Sequence, residues 1–555
     1  MKFNNFIIPL IAAGMMASCS DDPSVTPENS NLDGLYMTLT VSPQSMTRTT
    51  SPSTISEEGQ KDENTVSNLL LVLVDGNSTV VDCARVSEAT NIKKEDNGDV
   101  TATGSFNRER MIAYLQSAPA INSTKFYVIC NPTDKQEFTI GQNIDDFICE
   151  KTPETYYTSE KFVMSNSDNA TAKLPALTDV QAGKYNTAAD AWSIADVTVE
   201  RVAVRFDYTD HISGDEFKGV KGTGDDNNYY YTLAKANNGE GALNVSIKKL
   251  ALCNMGKAFY LFKRVNADGK TTSSANMFAA ETATNYVVDP YGSEKGALTR
   301  NSGTANFDKY FNYALFGSNF QPDFTEVAEI MNDNNKRGNE NGELSGEQYN
   351  FWRYAVPSTL PADPTQTQKN GNSTGVIFRA EITTPDATGA LKTAMDNGDD
   401  LYAFGGNIIG NYAAVKAIVE TDPAHAISVA FKNALTEEQQ KLENATSVIN
   451  SNLVKAGFAI YKAAADGKYY CDYYYWNRHN DNNDPQKMGA MEFGAVRNNI
   501  YKLVVTEISK LGHPTIKTND PDPVDPDDPD ETSDFYMKVK VTVKKWGVRV
   551  NKIKF

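Results

Sequence analysis

The chain has 555 residues, of which 40% are hydrophobic and 22% are charged, and its formal net charge is −18. This composition is that of a globular protein with roughly two to four domains. An acidic surface repels phosphate backbones, which argues against nucleic-acid binding. The four histidines are far apart, and no H-E-x-x-H or C-x-x-C spacing occurs, so the sequence predicts neither a metal site nor a cofactor.

The first 18 residues have the form of an export signal. Lys2 gives a positive start, and residues 6–16 form an apolar stretch too short to span a membrane. Small residues precede Cys19, and acidic residues follow it closely. This pattern predicts cleavage before Cys19 and lipidation of Cys19, with palmitate among the acyl chains. The alternative is an ordinary cleaved signal peptide with an incidental cysteine.

A strand pattern follows the polar tether at the N-terminus. Leu35, Met37, Leu39 and Val41 recur at every second position, so they share one face of a strand. The polar stretch 42–64, which contains Arg48, is expected to be exposed and accessible to proteases.

Further strand patterns recur between turn signals, and they predict an all-β fold of β-sandwiches with minor helix. A domain boundary is expected near residue 197, and residues 428–454 are expected to be partly helical. The predicted strands cover residues 69–74, 125–130, 197–206, 245–253, 376–383, 458–461, 469–476 and 500–508.

The spacing of the six cysteines does not indicate a disulfide framework. If Cys19 is lipidated, five remain, so at least one cannot pair within the chain; these are Cys83, Cys130, Cys149, Cys253 and Cys471. Cys130 ends an apolar strand and is expected to be a buried thiol.

The C-terminal segment differs from the rest of the chain. Residues 519–530 are Asp and Pro except for one Asn and one Val, which predicts a stiff, extended spacer. A last strand follows, with an apolar face formed by Met537, Val539, Val541 and Val543 and with Trp546 near its end. Residues 535–555 contain seven Lys or Arg and no acidic residue, so the rest of the chain is more acidic than the total.

The first and the last strand offer apolar side chains with the same period, so either fits the same hydrophobic groove. A groove that loses its strand exposes backbone groups and apolar surface, which favours addition of a strand from another molecule. A head-to-tail contact of this kind builds a filament. The alternative is that the tail folds into its own domain, and the pattern alone leaves both open.

Several of these segments resemble the type V fimbrillins of Bacteroidales, in particular the major shaft subunit of the short fimbriae. The resemblance covers the cysteine motif, the Asp/Pro spacer and four strand motifs; residues 207–360 do not match in detail. The motifs are V-T-V-E-R-V-A-V-R at 197–205, V-I-F-R-A-E-I-T at 376–383, V-R-N-N-I-Y at 496–501 with I-S-K-L-G at 508–512, and V-K-V-T-V-K-K-W at 539–546.

The resemblance implies two transthyretin-like β-sandwich domains with a C-terminal donor-strand extension. The segments that it implies are a signal peptide at 1–18, a removable prosegment at 19–48, an N-terminal sandwich at 49–196, a C-terminal sandwich at 197–518, a spacer at 519–534 and donor strands at 535–555.

The resemblance also implies a cell-surface fimbrial protein, anchored in the outer membrane by its lipid as a precursor. A trypsin-like protease is expected to cut after Arg48, with Arg85 as a distant second candidate. The cut removes the lipid together with the strand that contains Leu35 to Val41. The donor strand of a neighbouring copy, from Met537 to Trp546, then enters the groove. The implied partners are further copies of the chain, anchor and tip subunits, and the protease.

Two other functions compete with a fimbrial shaft. One is a monomeric surface lipoprotein, either a fimbrial anchor or tip or a protein that binds a glycan or host ligand through the aromatic stretch 469–476. The other is an exported hydrolase. The G-x-S-x-G match at 371–375 lacks a preceding strand and a following helix, so it is interpreted as a turn and no enzyme is expected. The loops 222–226 and 477–484 lack a calcium-binding spacing.

Overall fold

The structure is a computed structural model. It describes residues 34–43, 56–58, 62–87, 91–95, 99–117, 123–132, 138–144, 148–150, 157–158, 161–167, 169–223, 228–233, 243–266, 276–277, 286–299, 302–318, 320–332, 334, 336, 349–360, 370–385, 388–480, 492–514 and 537–547.

Strands dominate the described residues, and helices are fewer, so the all-β prediction with minor helix is confirmed. Strands β1 to β12 are Gly34–Pro43, Ser56–Glu58, Asn68–Val74, Val80–Ser87, Ile92–Lys94, Val100–Asn107, Lys125–Cys130, Ile148–Glu150, Tyr157–Thr158, Lys161–Phe162, Met164–Asn166 and Trp192–Arg201.

The later part of the chain contributes shorter strands around five long ones, each of eight residues or more. Strands β13 to β33 are Val204–Tyr208, Val220–Lys221, Tyr229–Leu233, Leu243–Cys253, Met255–Gly256, Ala258–Tyr260, Arg264–Asn266, Asn276–Met277, Tyr286–Val287, Phe311–Asn312, Thr325–Glu326, Asn350–Ala355, Ser358–Thr359, Gly375–Thr383, Leu401–Phe404, Asn407–Gly410, Phe458–Tyr461, Tyr469–Trp476, Gly494–Ala495, Asn499–Ile508 and Met537–Gly547.

Helices lie mostly at the ends of strands or in one insertion. The α-helices are Arg108–Ser117, Leu177–Gln181, Gly292–Gly296, Thr304–Tyr310, Val327–Ile330, Ala390–Asp396, Tyr412–Thr421, Ala426–Ala434, Glu437–Gln440 and Ser447–Lys455, and short 3-10 helices are Asp62–Asn64, Ala188–Asp190 and Asn370–Asn372.

The first large sheet has eight strands in the order β4-β3-β7-β11-β12-β1-β6-β5. The sheet curls, so that β6 lies across the core from β3 and β4. A Cβ atom added to Gly104 of β6 would lie 2.8 Å from Leu71 Cδ1 and 3.0 Å from Val86 Cγ2. Phe106 and Phe126 meet edge to face across the same space. The N-terminal part is therefore a β-sandwich formed by one curled sheet around one apolar core.

The second sandwich is formed by two sheets with the orders β2-β33-β32-β13-β24 and β14-β15-β16-β26-β30. Phe206 of β13 stacks on Tyr501 of β32, and Tyr208 packs against Phe378 of β26 in the facing sheet. The Tyr231 hydroxyl donates to the Val505 carbonyl at 2.7 Å, which joins β15 to β32. Aromatic packing between facing sheets thus forms the second core.

The two sandwiches are packed together through the outer face of β3 and β7. Leu70, Val72 and Ile129 belong to the same apolar cluster as the second core. The ring centroids of Tyr127 and Phe262 are 4.8 Å apart. This face explains why β3 is apolar at nearly every position, because both of its faces are buried.

The segment predicted as one strand at 197–206 is two strands in different sheets. β12 ends at Arg201 in the first sheet, and β13 begins at Val204 in the second. The prediction of a single strand was wrong because Val202 and Ala203 are fully buried at the crossing and therefore continue the apolar pattern. We propose the domain boundary at these two residues rather than before Val197.

Residues 388–461 form an insertion between β26 and β30. Its three strands, β28-β27-β29, are covered by helices around a separate apolar core. The prediction that 428–454 is partly helical is confirmed. The other predicted strands correspond to β3, β7, β16, β26, β29, β30 and β32.

Within the described residues, none of the helices has the length and hydropathy required to cross a membrane. In the same residues, His, Cys, Asp and Glu side chains are not grouped in a way that would hold a metal ion.

Candidate functional site

β1 is an interior strand whose side chains divide cleanly between its two faces. Leu35, Met37, Leu39 and Val41 are essentially inaccessible to solvent and form part of the N-terminal core. The residues between them are only half-buried. Fully burying an apolar side chain of this size stabilises a protein by about 1.5–3 kcal/mol, so β1 makes a large contribution to the fold.

Both edges of β1 are paired with other strands. It runs antiparallel to β6, with Leu35 opposite Phe106 and Val41 opposite Val100, and parallel to β12, with Met37 opposite Trp192. A β-bulge in the pairing with β12 lies between Thr38 and Leu39. Removal of β1 would therefore leave two unpaired strand edges on either side of an apolar groove.

Gly104 provides the space that β1 needs at its centre. It lies opposite Met37 in β6, and an added Cβ atom would come within 3.4 Å of the Met37 methyl carbon. Leu71 and Val86 approach the same point from across the core. The absence of a side chain at Gly104 thus allows these three side chains to meet.

A buried arginine fixes the first residue of β1. Arg108 donates from Nη2 to the Gly34 carbonyl at 3.2 Å and from Nη1 to the Val180 carbonyl at 2.8 Å. The Tyr36 amide donates to the Tyr185 carbonyl at 2.8 Å. These contacts set the register of β1 at its N-terminal end.

The C-terminal strand β33 lies in a different sheet from β1. It pairs antiparallel with β32 and parallel with β2. In this register Met537, Val539, Val541 and Val543 lie opposite Ile508, Val505, Leu503 and Tyr501. Trp546 lies opposite Glu57 of β2. The tail is therefore paired within its own chain, as the alternative interpretation of its pattern anticipated.

β33 and β1 have the same relation to their neighbours. Each runs antiparallel to one neighbour and parallel to the other. The two predicted exchange strands therefore share the relative directions of their neighbours, but they lie in different sheets.

The predicted lipidation and processing sites, Cys19 and Arg48, lie outside the described residues. So do the spacer 519–534 and residues 548–555. Arg85, the second candidate for processing, is half-buried within β4 and paired there with Leu70 of β3.

Two of the motifs on which the family resemblance rests meet at the junction of the sandwiches. Glu200, from the motif at 197–205, lies 2.8 Å from Arg497 Nε, from the motif at 496–501. Arg497 also donates from Nη1 to the Tyr260 carbonyl at 2.9 Å and from Nη2 to Ser165 Oγ at 3.0 Å. A buried charge with this many partners fixes one sandwich against the other.

A second buried cluster lies beside the first. Asn498 accepts a hydrogen bond from the Arg201 amide at 3.3 Å. Arg205 binds Asp207 through two hydrogen bonds, and its Nη1 lies 3.1 Å from Glu63 Oε2. Burial lowers the pKa of Arg201 to about 10, against the raising effect of Glu63. The cluster therefore depends on Glu63 for part of its negative charge.

Glu63 was missed by the sequence analysis, which treated 42–64 as exposed. That expectation was wrong for Glu63, which is fully buried and accepts from the Tyr354 hydroxyl at 2.6 Å. Its carbonyl accepts from Arg201 Nε at 3.0 Å, and Asn64 Oδ1 accepts from Arg201 Nη2. The partners are more than 130 residues away, so no local pattern indicates them.

Four of the described cysteines, Cys83, Cys130, Cys253 and Cys471, are either paired or buried. Cys83 is in a disulfide bond, whereas Cys130, Cys253 and Cys471 are buried free thiols, as predicted for Cys130. Burial raises the pKa of Cys253 and of Cys471 to about 12. At neutral pH these thiols are protonated and therefore unreactive.

The sequence motifs that suggested other chemistry have structural explanations. A 3-10 helix precedes Ser373 and β26 follows it, so the G-x-S-x-G match is not a nucleophile elbow. In β30, Tyr469, Tyr473 and Trp476 are buried and the other aromatic residues are half-buried, which confirms the prediction of core and edge packing. Parts of both loops considered for calcium lie outside the described residues.

Comparison with solved structures gives extensive but distant matches. The protein is similar to a protein assigned to cell adhesion from Parabacteroides distasonis ATCC 8503, at 11% identity and a TM-score of 0.38 over 93% of this chain and 98% of that chain. It is similar to a fimbrilin (fimA) from Porphyromonas gingivalis W83, at 13% identity and a TM-score of 0.35 over 94% and 100%. It is also similar to the tip fimbrial protein Mfa3 from Porphyromonas gingivalis, at 10% identity and a TM-score of 0.32 over 92% and 100%.

No curated protein sequence matches the chain. The family model described as "Major fimbrial subunit protein type IV, Fimbrillin, C-terminal" matches residues 466–552, which include β30, β32 and β33. The C-terminal part of this chain is therefore similar to the C-terminal region of a major fimbrial subunit, which is a similarity to a structural protein rather than to an enzyme.

Proposed function

We propose that this protein is a structural subunit of a fimbrial shaft, which is exported as a lipoprotein precursor and polymerises by protease-triggered strand exchange. The shaft supports adhesion at the cell surface. The observation that carries the proposal is that β1 and β33 share an apolar period of two and that each lies between an antiparallel and a parallel neighbour.

Processing starts from the position of Arg48 between β1 and β2. β1 ends at Pro43 and β2 begins at Ser56, so a cut after Arg48 separates β1 from the rest of the chain. The lipid on Cys19 leaves with it. A trypsin-like protease needs an exposed segment, which favours Arg48 over Arg85, since Arg85 lies within the paired strand β4.

Loss of β1 opens the groove that receives the donor strand. The groove is lined by core residues that contact Leu35, Met37, Leu39 and Val41 in the precursor. The donor strand carries Met537, Val539, Val541 and Val543 with the same period. Its apolar side chains restore the burial and its backbone restores the hydrogen bonds of β6 and β12.

The spacer and the charge of the tail support transfer to a neighbouring copy. Residues 519–534 are sixteen residues rich in Pro and Asp, and an extended spacer of this length spans about 50 Å. The tail is basic and the rest of the chain is acidic, so the encounter of tail and groove is favourable electrostatically. Anchor and tip subunits complete the filament as partners.

A monomeric surface lipoprotein, such as a fimbrial anchor or tip, is the second candidate. The observation in its favour is the pairing of β33 with β32 in the same chain. A tail that stays in this position donates no strand, and the lipid on Cys19 then serves as the permanent anchor.

The test is limited proteolysis of purified, non-lipidated precursor with trace trypsin, followed by N-terminal sequencing and negative-stain microscopy. The proposal predicts Thr49 as the new N-terminus and the appearance of filaments. Arg48→Gln is expected to block both, whereas Arg85→Gln blocks neither. Clean cleavage after Arg48 that yields only monomers would contradict the shaft function and favour the anchor or tip.

A further inference from the structure

In the chain, the short strand β2 follows the candidate processing site Arg48 and precedes β3 of the first sandwich. In the fold, it pairs with the tail strand β33. β2 pairs in parallel with β33, with Ser56 opposite Lys545 and Glu58 opposite Gly547. It is the outermost strand of its sheet. β2 therefore covers only the last three residues of β33, Lys545 to Gly547, on the edge that faces away from β32.

The C-terminal end of β2 is attached to the junction between the sandwiches. Three residues separate Glu58 from the 3-10 helix Asp62–Asn64. Glu63 in this helix is fully buried against Arg205 and Tyr354, at 3.1 and 2.6 Å. Arg201 donates to the carbonyl of Glu63. This end of the segment is held by several charged hydrogen bonds, which are the strong kind.

A second contact holds the same segment two residues further on. Asn131, after β7, donates from Nδ2 to the Thr65 carbonyl at 2.7 Å and accepts from the Ser67 amide at 2.9 Å. The backbone from Glu63 to Ser67 thus follows a path fixed by both sandwiches.

The N-terminal end of β2 is attached to β1. Twelve residues, 44–55, join Pro43 to Ser56, and β1 is held in the middle of the first sheet. In the precursor β2 is thus tethered at both ends. A ladder of three residues is weak alone, and tethering reduces the entropy that is lost when it forms.

We propose that β2 is a latch that holds the tail strand in its own sheet until the precursor is cut. A cut after Arg48 removes the tether to β1, and β2 is then a free N-terminal segment that frays from β33. Processing thus opens the groove and loosens the donor strand in one step. This inference rests on the proposed strand exchange.

Hydrogen exchange of residues 537–547, followed by mass spectrometry, tests the latch in precursor that carries Arg48→Gln and so stays intact. Glu57→Pro removes a backbone donor at the centre of β2 and is expected to speed exchange of the tail about tenfold or more. Thr54→Pro, which lies outside β2, is the matched control and leaves the tail unchanged. Exchange in β26 and β30 reports whether each variant is folded.

Two further samples separate the two tethers. Glu63→Gln removes the charge that faces Arg205 and is expected to speed tail exchange less than Glu57→Pro; Glu95→Gln, at a surface ion pair with Lys93, is its control. In cleaved wild-type protein, kept too dilute to assemble, the amide hydrogens of the tail are expected to exchange as fast as they do in the Glu57→Pro variant.

The results decide the latch and the shaft function separately. Equal tail exchange in Glu57→Pro and Thr54→Pro would overturn the latch, even if cleaved protein forms filaments. Fast tail exchange in Glu57→Pro, together with cleaved protein that never forms filaments, would support the latch and contradict the shaft function.

Discussion

β1 and β33 are strands of similar length and pattern, yet they are held very differently. β1 has ten residues, and its neighbours β6 and β12 have eight and ten. β33 has eleven residues, with ten-residue β32 on one side and only the three residues of β2 on the other. An interior strand is difficult to release without a covalent cut, whereas a strand with one nearly open edge is released more easily. This difference fits the proposed roles, in which β1 is removed once by proteolysis and β33 is transferred to another subunit.

The two strands also differ at their N-terminal ends. Arg108 binds the carbonyl of Gly34 and fixes the start of β1. β33 follows a segment of Asp and Pro, a composition that favours an extended chain. In the proposed shaft, the strand that is lost is the better anchored one, so its removal requires a protease.

Deletion of residues 537–555 is the strongest test of this comparison. It is expected to abolish filaments completely after cleavage, because no donor strand remains. It also leaves one edge of β32 unpaired, so the uncut monomer should melt at a lower temperature. Negative-stain microscopy and thermal unfolding measure the two effects, and filaments formed without these residues would contradict the account.

Two matched substitutions distinguish β1, which the cut removes, from β33, which remains part of the assembled filament. Leu39→Ala creates a cavity in the precursor core and is expected to lower its free energy of unfolding by about 2–5 kcal/mol. Filaments of the cleaved variant should be as stable as wild type, because Leu39 is gone from them. Val541→Ala should instead weaken the filaments.

Denaturant unfolding of the precursors and of the filaments measures both effects. Filaments that are weakened by Leu39→Ala would show that β1 remains in the assembled subunit, which contradicts strand exchange.

Gly104→Ala tests the groove itself, which holds β1 in the precursor and receives the donor strand in the proposed filament. The new methyl group meets Leu71, Val86 and Met37, and overpacking of this kind costs about 1–3 kcal/mol. We expect a lower melting temperature for the precursor and slower assembly, since the donor strand enters the same space. Ser105→Ala, at an exposed neighbouring position, is the control and should change neither.

Added salt should have the smallest effect. The basic tail and the acidic remainder attract each other over several ångströms, and salt at about 0.5 M screens most of this attraction. Filament growth, followed by light scattering after cleavage, is expected to slow a few-fold while the final amount of polymer stays the same. Faster growth in salt would exclude electrostatic steering.

The sequence predicts these strands well where the pattern is local. The alternation of Leu35, Met37, Leu39 and Val41 matches their burial, and most predicted strands lie within two residues of the observed ones. The features that the sequence does not show depend on distant partners. Glu63 pairs with Arg205, and nothing in a polar stretch indicates a buried carboxylate.

The partner of the tail is a further example of the limits of pattern. Met537 to Val543 fit either β32 of the same chain or a groove in another, because the apolar period is the same. Only the topology shows that the precursor places them beside β32. Likewise, the apolar run across Val202 and Ala203 conceals a change of sheet, since both residues are buried in the crossing.

The central claim is that the tail leaves β32 and takes the place of β1 in a neighbour. Disulfide trapping tests it with one thiol placed on the tail by Val541→Cys. Leu503→Cys places the second thiol opposite it in the same chain, and Ala102→Cys places the second thiol opposite Leu39 in the groove. The native free thiols Cys130, Cys253 and Cys471 are buried and do not compete.

The account predicts that uncut Leu503→Cys/Val541→Cys precursor forms a disulfide within one chain. It predicts that filaments from mixed Ala102→Cys and Val541→Cys subunits contain disulfide-linked pairs of chains; Val539→Cys and Val543→Cys cover the neighbouring registers. Filaments that assemble normally but give no linked chains with any of the three tail positions would contradict strand exchange.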